Sequence, residues 1–434
     1  MERYSEYKDS GVKWLGEIPS HWEVMPLKSF IKFEKGKTPK EFSDENIGLP
    51  YLTMDYLRSR DNKIVKYPTT SIGLFKIEES EALVLWDGAN AGEFILSKKG
   101  YLGSTMAKIS GYKEYFNNLY FYYFLKMLEP TSKDFANGTT IPHFDASILI
   151  NYHYPIPPID EQIVIGSYLD AATSKIDKAI AMQQKMIDLL NERKQIIVQN
   201  AVTKGLDDKV EMKDSGVEWI GMIPKHWKII RLKNVFYKRI AGSWGNEQNV
   251  SPKNTVCLRI ADFEYSRLQF KKRENYTIRS YTAKEIENKK LSKGDLLIEK
   301  SGGGEKSPVG RCVVYNLEIP DVMYANFMEK LSTRGNVDSY FICYLLSCFY
   351  SQGMIWPYVK ATTGIQNLDI ASLLSKEYIF VPPKSEQQAI VAYLDKQMQR
   401  FDSAITNCQR QITLLQERKQ IIINEVVTGK VKVS

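Results

Sequence analysis

Basic and hydroxyl-bearing residues of this chain stand beside two glycine turns, a setting that suits contacts with phosphates and base edges. The turns follow apolar, strand-like segments and read LVLWDGANAG at 83–92 and LLIEKSGGGEKS at 296–307. Lysine and arginine can neutralise phosphates, while threonine, serine, asparagine and arginine can hydrogen-bond base edges in a major groove. The joint pattern favours nucleic-acid binding, although each side chain taken alone is better explained as a solvated surface residue.

The candidate contact residues follow from loop position and side-chain type. In the first half of the chain they are Lys35, Lys37, Thr38, Lys40, Asp87, Asn90, Thr139 and Thr140. In the second half they are Arg239, Ser243, Arg259, Lys300, Ser301, Lys306, Thr362 and Thr363. Trp86 and Trp244 could also wedge against a duplex, but a buried aromatic is the safer prediction for both.

The sequence contains no convincing active site. The loop SGGGEKSPVG at 301–310 lacks the glycine that a Walker A loop needs before its Lys-Ser pair, because Glu305 stands there. Asp208, Glu211 and Lys213 match a nuclease cluster only in residue type, since too little chain separates them to build a metal site. No HExxH segment and no serine elbow occurs. We therefore expect a protein that binds and does not catalyse.

The chain repeats its framework in the same order. Three motifs occur twice: KDSGVxWxGxIPxHW at 8–22 and 213–227, PPxxEQxxIxxYLD at 157–170 and 382–395, and ERKQII at 192–197 and 417–422. The segments between them are nearly unrelated, as expected for a reader of two different half-sites. His21 and His226 occupy the same position of the first motif, and we expect both to pack beside the tryptophan that follows.

Each repeat ends in a predicted long helix. Pro157 and Pro158 end the preceding strand, after which Asp160 offers an N-cap, and Ser385 caps the second copy with Gln388 three residues on. Apolar residues then recur at heptad spacing: Leu169, Ile176, Ile180, Ile187, Leu190 and Ile197, and Leu394, Met398, Phe401, Ile405, Ile412, Leu415 and Ile422. Polar residues interrupt this seam at Thr173, Gln183, Lys194 and Lys419. Helices of roughly 40 to 45 residues would be about 60 to 70 Å long, so we expect them to pack on each other.

The order of the repeats predicts the direction of these helices. EMKDSGVEW follows the first long helix, whereas its equivalent EYKDSGVKW stands at the N-terminal end of the chain. A closed two-fold ring would bring residues 430–434 close to residues 1–10, with the helices antiparallel. The predicted fold class is α+β: two mixed α/β domains joined by two long antiparallel helices that form a coiled-coil spacer, with pseudo-two-fold symmetry and a cyclic organisation of the repeats. The predicted domain bounds are 1–156, 157–206, 207–381 and 382–434.

Composition fits a soluble protein of two or three domains, with 434 residues, 43% hydrophobic and 25% charged. The net charge of +8 is a modest basic bias that suits an anionic partner without requiring one. The five cysteines all lie in the second half and lack zinc-type spacing, which indicates a reduced, cytoplasmic compartment. The segment MERYSEYKDS lacks the apolar core of a secretory signal, and the apolar stretches 119–128 and 340–350 are too short to span a bilayer, so no membrane contact is expected.

Through the three doubled motifs, the chain resembles the specificity subunits of type I restriction-modification systems over essentially its whole length. The resemblance implies two target recognition domains, at 1–156 and 207–381, that each contact one half of an asymmetric bipartite target in double-stranded DNA. It implies that the long helices fix the gap between the half-sites and dock two modification (adenine methyltransferase) subunits. Candidate contacts to these partners are Glu192, Arg193, Glu417 and Arg418.

The resemblance also implies that the chemistry lies on partner subunits. S-adenosylmethionine, ATP and Mg are expected on the modification subunits and the restriction or translocase subunits, and no cofactor is expected on this chain. The residues alone leave two other functions open. A self-sufficient DNA-binding repressor or architectural protein would bind tightly without partners, whereas a coiled-coil adaptor that joins two proteins would show no DNA affinity.

Overall fold

A computed structural model describes residues 2–43, 45–59, 65–112, 115–134, 142–151, 153–217, 219–304, 307–362 and 364–433. The chain divides into two compact units. The first unit comprises Met1–Gln183 with Arg410–Ser434, and the second comprises Gln184–Gln409. Over these described ranges, no helix combines the length and the hydropathy needed to cross a bilayer.

The first unit combines short strands with helices. Its strands are β1 (Tyr7–Asp9), β2 (Glu17–Pro19), β3 (Glu23–Pro26), β4 (Ile31–Lys35), β5 (Phe42–Ser43), β6 (Tyr51–Leu52), β7 (Tyr67–Pro68), β8 (Lys76–Ile77), β9 (Ala82–Leu85), β10 (Phe94–Leu96), β11 (Gly100–Leu102), β12 (Met106–Gly111) and β13 (His153–Ile156). Its helices are α1 (Met54–Arg58), α2 (Asn118–Asp134), α3 (Ala146–Ile150) and the start of α4 (Ile159–Lys204). The strands form a four-stranded sheet in the order β10-β9-β12-β4 and a three-stranded sheet in the order β6-β11-β8.

The second unit repeats this plan with longer strands. Its strands are β14 (Met212–Asp214), β15 (Met222–Pro224), β16 (Lys228–Arg231), β17 (Phe236–Ala241), β18 (Lys253–Leu258), β19 (Phe263–Glu264), β20 (Gln269–Phe270), β21 (Ile278–Tyr281), β22 (Leu296–Glu299), β23 (Ser301–Gly302), β24 (Cys312–Val314), β25 (Met323–Tyr324), β26 (Met328–Thr333), β27 (Val359–Thr362), β28 (Ile365–Leu368) and β29 (Tyr378–Val381). Its helices are α5 (Ala283–Lys289), α6 (Ser339–Ser351), α7 (Ile370–Lys376) and most of α8 (Lys384–Val427). The main sheet runs β17-β26-β22-β24-β20-β19.

Each main sheet packs on a helix rich in aromatic residues, α2 in the first unit and α6 in the second. Phe121 and Phe124 of α2 are buried in one core with Val84 of β9, and Phe341 and Leu345 of α6 are buried in another. Both helices are apolar on the face that meets the sheet, so burial of this face is the main term that holds helix and sheet together.

The two long helices are present but begin earlier than predicted. The first has 46 residues and starts at Ile159, while the second has 44 residues and starts at Lys384. Asp160 and Ser385 therefore lie inside the first helical turn, and the predicted N-caps at these residues were wrong. Each helix follows directly on a Pro-Pro pair, because proline cannot supply a main-chain N–H but is tolerated where a helix begins.

Two polar residues of the predicted apolar seam form ion pairs. In the first unit, Lys419 Nζ lies 2.7 Å from the carboxylate of Asp177. In the second unit, Lys194 Nζ lies 2.8 Å from Asp402. Lys194 and Lys419 occupy the same position of the ERKQII motif, so the same side chain finds the same kind of partner in both repeats.

The start of the chain meets its C-terminal segment within the first unit, as the closed-ring prediction requires. The main-chain N–H of Lys432 donates to the carbonyl of Glu2 at 2.8 Å, and Tyr7 Oη donates to the carbonyl of Gly429 at 3.2 Å. The expected proximity of residues 430–434 and residues 1–10 is therefore confirmed.

The doubled motifs are joined to each other by hydrogen bonds inside each unit. Gln162 accepts from the main-chain N–H of Asn117 at 2.9 Å, and Gln387 accepts from that of Asp338 at 2.7 Å. Both glutamines are fully buried. Because Asn117 and Asp338 stand just before α2 and α6, each long helix fixes the start of the aromatic helix in its own unit.

Candidate nucleic-acid interface

In the first unit, main-chain hydrogen bonds join the loops after β4 and β9 to the loop before β12, at one end of the strands of the four-stranded sheet. After β4, the N–H of Gly36 donates to the carbonyl of Met106 at 3.0 Å. After β9, the N–H groups of Trp86 and Asp87 both donate to the carbonyl of Thr105, at 2.8 and 3.2 Å. We call this arrangement the first frame.

The second unit contains the same arrangement, which we call the second frame. The N–H of Gly242 donates to the carbonyl of Met328 at 3.0 Å. The N–H groups of Lys300 and Ser301 both donate to the carbonyl of Phe327, at 2.8 and 3.2 Å. The two sets of donors, acceptors and distances agree, so the frames have the same main-chain geometry.

A fourth segment completes each frame. The N–H of Phe144 donates to the carbonyl of Trp86 at 2.8 Å, and that of Leu368 donates to the carbonyl of Lys300 at the same distance. The equivalent pairs of positions are Gly36 and Gly242, Trp86 and Lys300, Asp87 and Ser301, Thr105 and Phe327, and Phe144 and Leu368. At most of these positions the side chain differs between the frames although the main chain does not.

Glycine is required where two loops of each frame approach closely. A Cβ atom added to Gly36 would lie 2.2 Å from the carbonyl oxygen of Gly103, and one added to Gly242 would lie 2.1 Å from that of Ala325. Both distances are far below a van der Waals contact with main-chain atoms that cannot move aside. The glycines therefore allow the close approach that sets the loop spacing.

The first frame carries a hydrogen-bonded cluster around Asp87. Its carboxylate lies 2.6 Å from His143 Nδ1 and 3.0 Å from Lys35 Nζ. Partial burial opposes ionisation, but the hydrogen bonds from His143 and Lys35 outweigh it and hold the pKa of Asp87 below its usual value. Because an ionised carboxylate can only accept, His143 Nδ1 carries the proton that joins the two side chains.

The second frame carries an uncharged pair at the equivalent positions. Ser301 Oγ donates to Asn367 Oδ1 at 2.6 Å. Asn367 immediately precedes Leu368, as His143 precedes Phe144, so the two hydrogen-bonded pairs occupy the same place in the two frames. Ser301 is half-buried, whereas His143 and Asn367 are exposed to solvent.

Most predicted contact residues of the first unit lie on or beside the first frame. Lys35 belongs to the Asp87 cluster, and Thr38 Oγ1 donates to Ser104 Oγ at 2.8 Å. Lys37, Lys40 and Asn90 are exposed. Within the described part of the chain, neither Lys37 nor Lys40 takes an ion-pair partner, so both cations are available to phosphates. Thr139 and Thr140 lie outside the described residues.

The predicted contact residues of the second unit differ from one another in exposure and in the partners that they have within the protein. Arg239 Nε donates to the buried Glu329 at 2.6 Å, which occupies its guanidinium within the protein. Ser243 lies beside the second frame, where its carbonyl accepts from Tyr281 Oη at 3.0 Å. Arg259 is exposed, and Lys300 and Ser301 belong to the frame itself. Lys306, Thr363 and the side chain of Thr362 lie outside what the structure describes.

Two predictions for the second unit were wrong. Trp244 is 39% exposed instead of buried, and it forms one wall of a cavity of about 450 Å³ together with Arg259 and Phe327. Thr362, chosen as a loop residue, lies instead at the end of β27, which pairs with β28 in a hairpin. Trp86 follows the prediction, since it is half-buried against Phe33 and Phe144.

Sequence reasoning missed His143, Asn367 and Phe327. His143 and Asn367 stand two residues before Asp145 and Asp369, which cap α3 and α7, in the similar segments HFD and NLD. Alignment of the two caps would have paired the two residues. Phe327 gave no such signal, because only the main-chain hydrogen bonds reveal its equivalence to a threonine.

The histidines of the first motif share a hydrogen bond that was not predicted for them. His21 Nε2 lies 2.8 Å from Glu161, and His226 Nε2 lies 2.9 Å from Glu386. Each histidine thus hydrogen-bonds the carboxylate at the start of a long helix. His226 also packs edge-on against Trp227, with ring centroids 6.5 Å apart, as predicted.

The long helices expose charged and apolar residues at matching positions. The predicted contacts Glu192, Arg193, Glu417 and Arg418 are all exposed, and none of the four has an ion-pair partner among the residues that the structure describes. Beside them lie exposed apolar side chains that the sequence analysis missed: Leu189 (49%), Ile196 (39%), Leu414 (47%) and Ile421 (54%). The exposed apolar residues of one helix therefore lie at the same repeat positions as those of the other.

Comparisons with known proteins agree with one another. The family described as Type I restriction modification DNA specificity domain matches residues 19–186 and 224–416. The type I restriction enzyme MjaVIII specificity subunit of Methanocaldococcus jannaschii is 29% identical over an alignment of 442 positions, which covers 98% of this chain and 97% of that protein. The type I restriction enzyme EcoKI specificity subunit of Escherichia coli (strain K12) is 19% identical, over 96% of this chain and 90% of that one.

A solved structure shares the fold. A chain from a study of complex assembly and conformational transition in a type I restriction-modification system superposes with a TM-score of 0.65. The match is 16% identical and covers 95% of this chain and 99% of that chain. Two units that are each mixed α/β are therefore a fold already known in such a system.

Proposed function

Because the chain belongs to the family of type I restriction-modification DNA specificity subunits, we propose that its two units each read one half of an asymmetric bipartite DNA target. Members of this family are recognition subunits, so the chain is a non-catalytic component of a restriction-modification complex. We assign the two recognition domains to residues 1–156 and 207–381, and the helical spacer to 157–206 and 382–434.

The observation that carries this proposal is the pair of frames. Their main-chain hydrogen bonds agree in position and in length, whereas their side chains offer different hydrogen-bonding groups. Phosphate contacts position a protein on a duplex, and side chains at the grooves read the sequence. A common scaffold with two sets of side chains is the arrangement expected of one protein that reads two unlike half-sites.

Exposed cations near the frames support DNA as the ligand. Lys37 and Lys40 follow the first frame glycine, and Arg259 lines the cavity beside the second frame. Salt-dependent contacts of this kind supply most of the sequence-independent affinity of DNA-binding proteins. The net charge of +8 is consistent with such contacts.

Contacts in the first unit support antiparallel spacer helices. Asp177 pairs with Lys419, and Ile165, which precedes Asp177, shares a hydrophobic cluster with Val427, which follows Lys419. Moving towards the N-terminus on one helix therefore corresponds to moving towards the C-terminus on the other.

The second unit gives the same order with a different set of residues. Lys194 pairs with Asp402, and Val202, which follows Lys194, shares a cluster with Ile390, which precedes Asp402. The repetition of this order in both units supports a coiled-coil spacer with pseudo-two-fold symmetry that fixes the gap between the half-sites.

The exposed helix residues support docking of two modification subunits. Leu189 and Ile196 are seven residues apart and share one helix face, and Leu414 and Ile421 repeat this spacing on the other helix. Two copies of one apolar surface suit two copies of one partner. On this proposal, S-adenosylmethionine, ATP and Mg are bound by the modification and restriction subunits, and the complex acts on DNA in the cytoplasm.

Methylome sequencing tests the proposed function. A methylation-deficient host would express the cognate modification subunit with and without this chain. The proposal expects a split, asymmetric methylated motif only when the chain is present. A stable complex with the modification subunit but no new motif would overturn DNA reading and favour the adaptor function. Tight, sequence-specific DNA binding by the chain alone would instead favour a self-sufficient repressor.

A further inference from the structure

We propose, on the basis of the function proposed above, that His143 and Asn367 are the equivalent base-contacting residues of the two units. Each is held by a frame residue, Asp87 or Ser301, and Asn367 selects adenine. The two side chains occupy the same place beside the same main-chain hydrogen bond, from Phe144 in one frame and its counterpart in the other.

Geometry and exposure set these two residues apart from their neighbours. The side chain of His143 is 59% exposed while its Nδ1 is fixed 2.6 Å from Asp87. Asn367 is likewise exposed while its Oδ1 is fixed 2.6 Å from Ser301 Oγ. A side chain that is open to solvent but held at one atom loses little further conformational freedom when it meets a ligand. This combination is what a base-reading group needs.

The hydrogen bond from Ser301 determines what Asn367 can still offer. Its Oδ1 keeps a second lone pair, and both protons of Nδ2 remain available. One acceptor beside one donor matches the N6 amino group and N7 of adenine in the major groove, the pairing that asparagine makes in protein–DNA complexes. Adenine is therefore the base expected at the position that Asn367 reads.

His143 offers a different pattern from the same place. Its Nδ1–H is directed to Asp87, so that in the neutral ring Nε2 is left as a lone acceptor. Such an acceptor suits an exocyclic amino group, that of cytosine or adenine, and gains nothing from a carbonyl oxygen. Lys35 also contacts Asp87 and balances the charge of its ionised carboxylate. The carboxylate in turn positions the imidazole ring. Asp87 and Ser301 are thus positioning residues, and His143 and Asn367 make the contacts.

The test uses full-length chain in complex with its modification subunit, and methylome sequencing is the readout. The variants are Asn367→Ala, Asn367→Asp, His143→Ala and His143→Gln. Asn336→Ala and His153→Ala are matched controls, since both residues are exposed and neither belongs to a frame. Thermal unfolding and co-purification establish that each variant folds and assembles.

Asn367→Ala is expected to relax one base position of one half-site, with discrimination against the wrong base falling roughly 5- to 150-fold. Asn367→Asp is expected to change the preferred base from adenine to cytosine, because a carboxylate accepts from the cytosine amino group. His143→Ala is expected to relax one position of the other half-site only. The controls are expected to keep the wild-type motif.

The near-isosteric variants Asn367→Asp and His143→Gln decide the outcome, because they preserve side-chain volume. A wild-type motif in both of them overturns the proposal. A uniform fall in methylation without any change of motif also overturns it, since that result indicates a structural role. If the wild-type chain directs no motif at all, the proposed function fails first. Failure of the variants alone, with a wild-type motif present, leaves the proposed function standing.

Discussion

The indole nitrogen of Trp22 donates a hydrogen bond of 3.0 Å to the carboxylate of Glu161 at the start of the first long helix. Tyr4 and His21 also hydrogen-bond this carboxylate. Trp227 makes the same 3.0 Å contact to Glu386 in the second unit. The relationship explains why the HW and PPxxEQ motifs recur together, because one supplies the donors and the other supplies the acceptor.

Replacement of Glu161 by alanine is expected to lower the free energy of unfolding by about 1–3 kcal/mol. The reason is that Trp22 is fully buried and its indole N–H would be left without an acceptor. Chemical denaturation measures the change in the free energy of unfolding. Asp160→Ala is the control and should lose only a helix-dipole term of about 0.3–1 kcal/mol. Equal losses in the two variants would contradict the role of the hydrogen bond.

Asp87→Asn is expected to change stability in a pH-dependent way. The pKa of Asp87 is lowered in the folded protein by His143 and Lys35, despite its partial burial. Its carboxylate therefore stabilises the fold above the unfolded pKa of about 3.9, and this contribution is lost as pH falls through the lower folded pKa. The difference between wild type and variant should be constant from about pH 5 to pH 7 and should shrink towards pH 3. Urea unfolding across this range checks it, and a difference that grows on acidification would refute the sign.

Replacement by alanine is expected to affect DNA affinity at Trp244 and stability at Trp86. Trp244 is 39% exposed, and the guanidinium of Arg279 lies 4.8 Å from its ring. Trp244→Ala should therefore lose under about 1 kcal/mol of stability but should weaken DNA binding by the complex. Trp86 packs on Phe33 and Phe144, so Trp86→Ala should cost about 3 kcal/mol or more. Titration of target DNA and thermal unfolding separate the two effects, and unchanged DNA affinity for Trp244→Ala would remove it from the interface.

Charge on the exposed apolar helix positions is expected to release the modification subunits one at a time. Leu189→Glu should remove one subunit, Leu414→Glu the other, and the double variant both, because a carboxylate cannot be desolvated in an apolar contact. Native mass spectrometry counts the subunits directly. Glu192→Ala and Glu417→Ala test the charged neighbours, which we expect to matter less at a solvated rim. An intact complex from the double variant would place the docking surface elsewhere.

The framework of this chain could be predicted from its sequence because it depends on periodicity and on repetition. Heptad spacing predicts the two long helices, and the order of the repeats predicts the contact between Glu2 and Lys432. The helix starts were misplaced by one or more residues, since a Pro-Pro pair allows the helix to begin before the residue with the best capping side chain.

The candidate site depended on information that the sequence does not show directly. Trp244 is exposed beside the close approach of Gly242 to Ala325, a tertiary contact that joins residues far apart in the chain. The pairing of Ser301 with Asn367 joins residues far apart in the chain through β23 and β28. Side-chain type alone identified the polar members of the frames, but it could not show which of them meet.

The frames are held together by main-chain N–H and carbonyl groups, which every residue other than proline supplies in full. Exchange of the side chains at Asp87 and His143, or at Ser301 and Asn367, therefore leaves the hydrogen bonds that shape the loops in place. Related chains could therefore change the DNA sequence that they read through substitutions that leave the shape of these loops intact. Gly36 and Gly242 are the frame positions that must stay glycine while the base-reading side chains around them change.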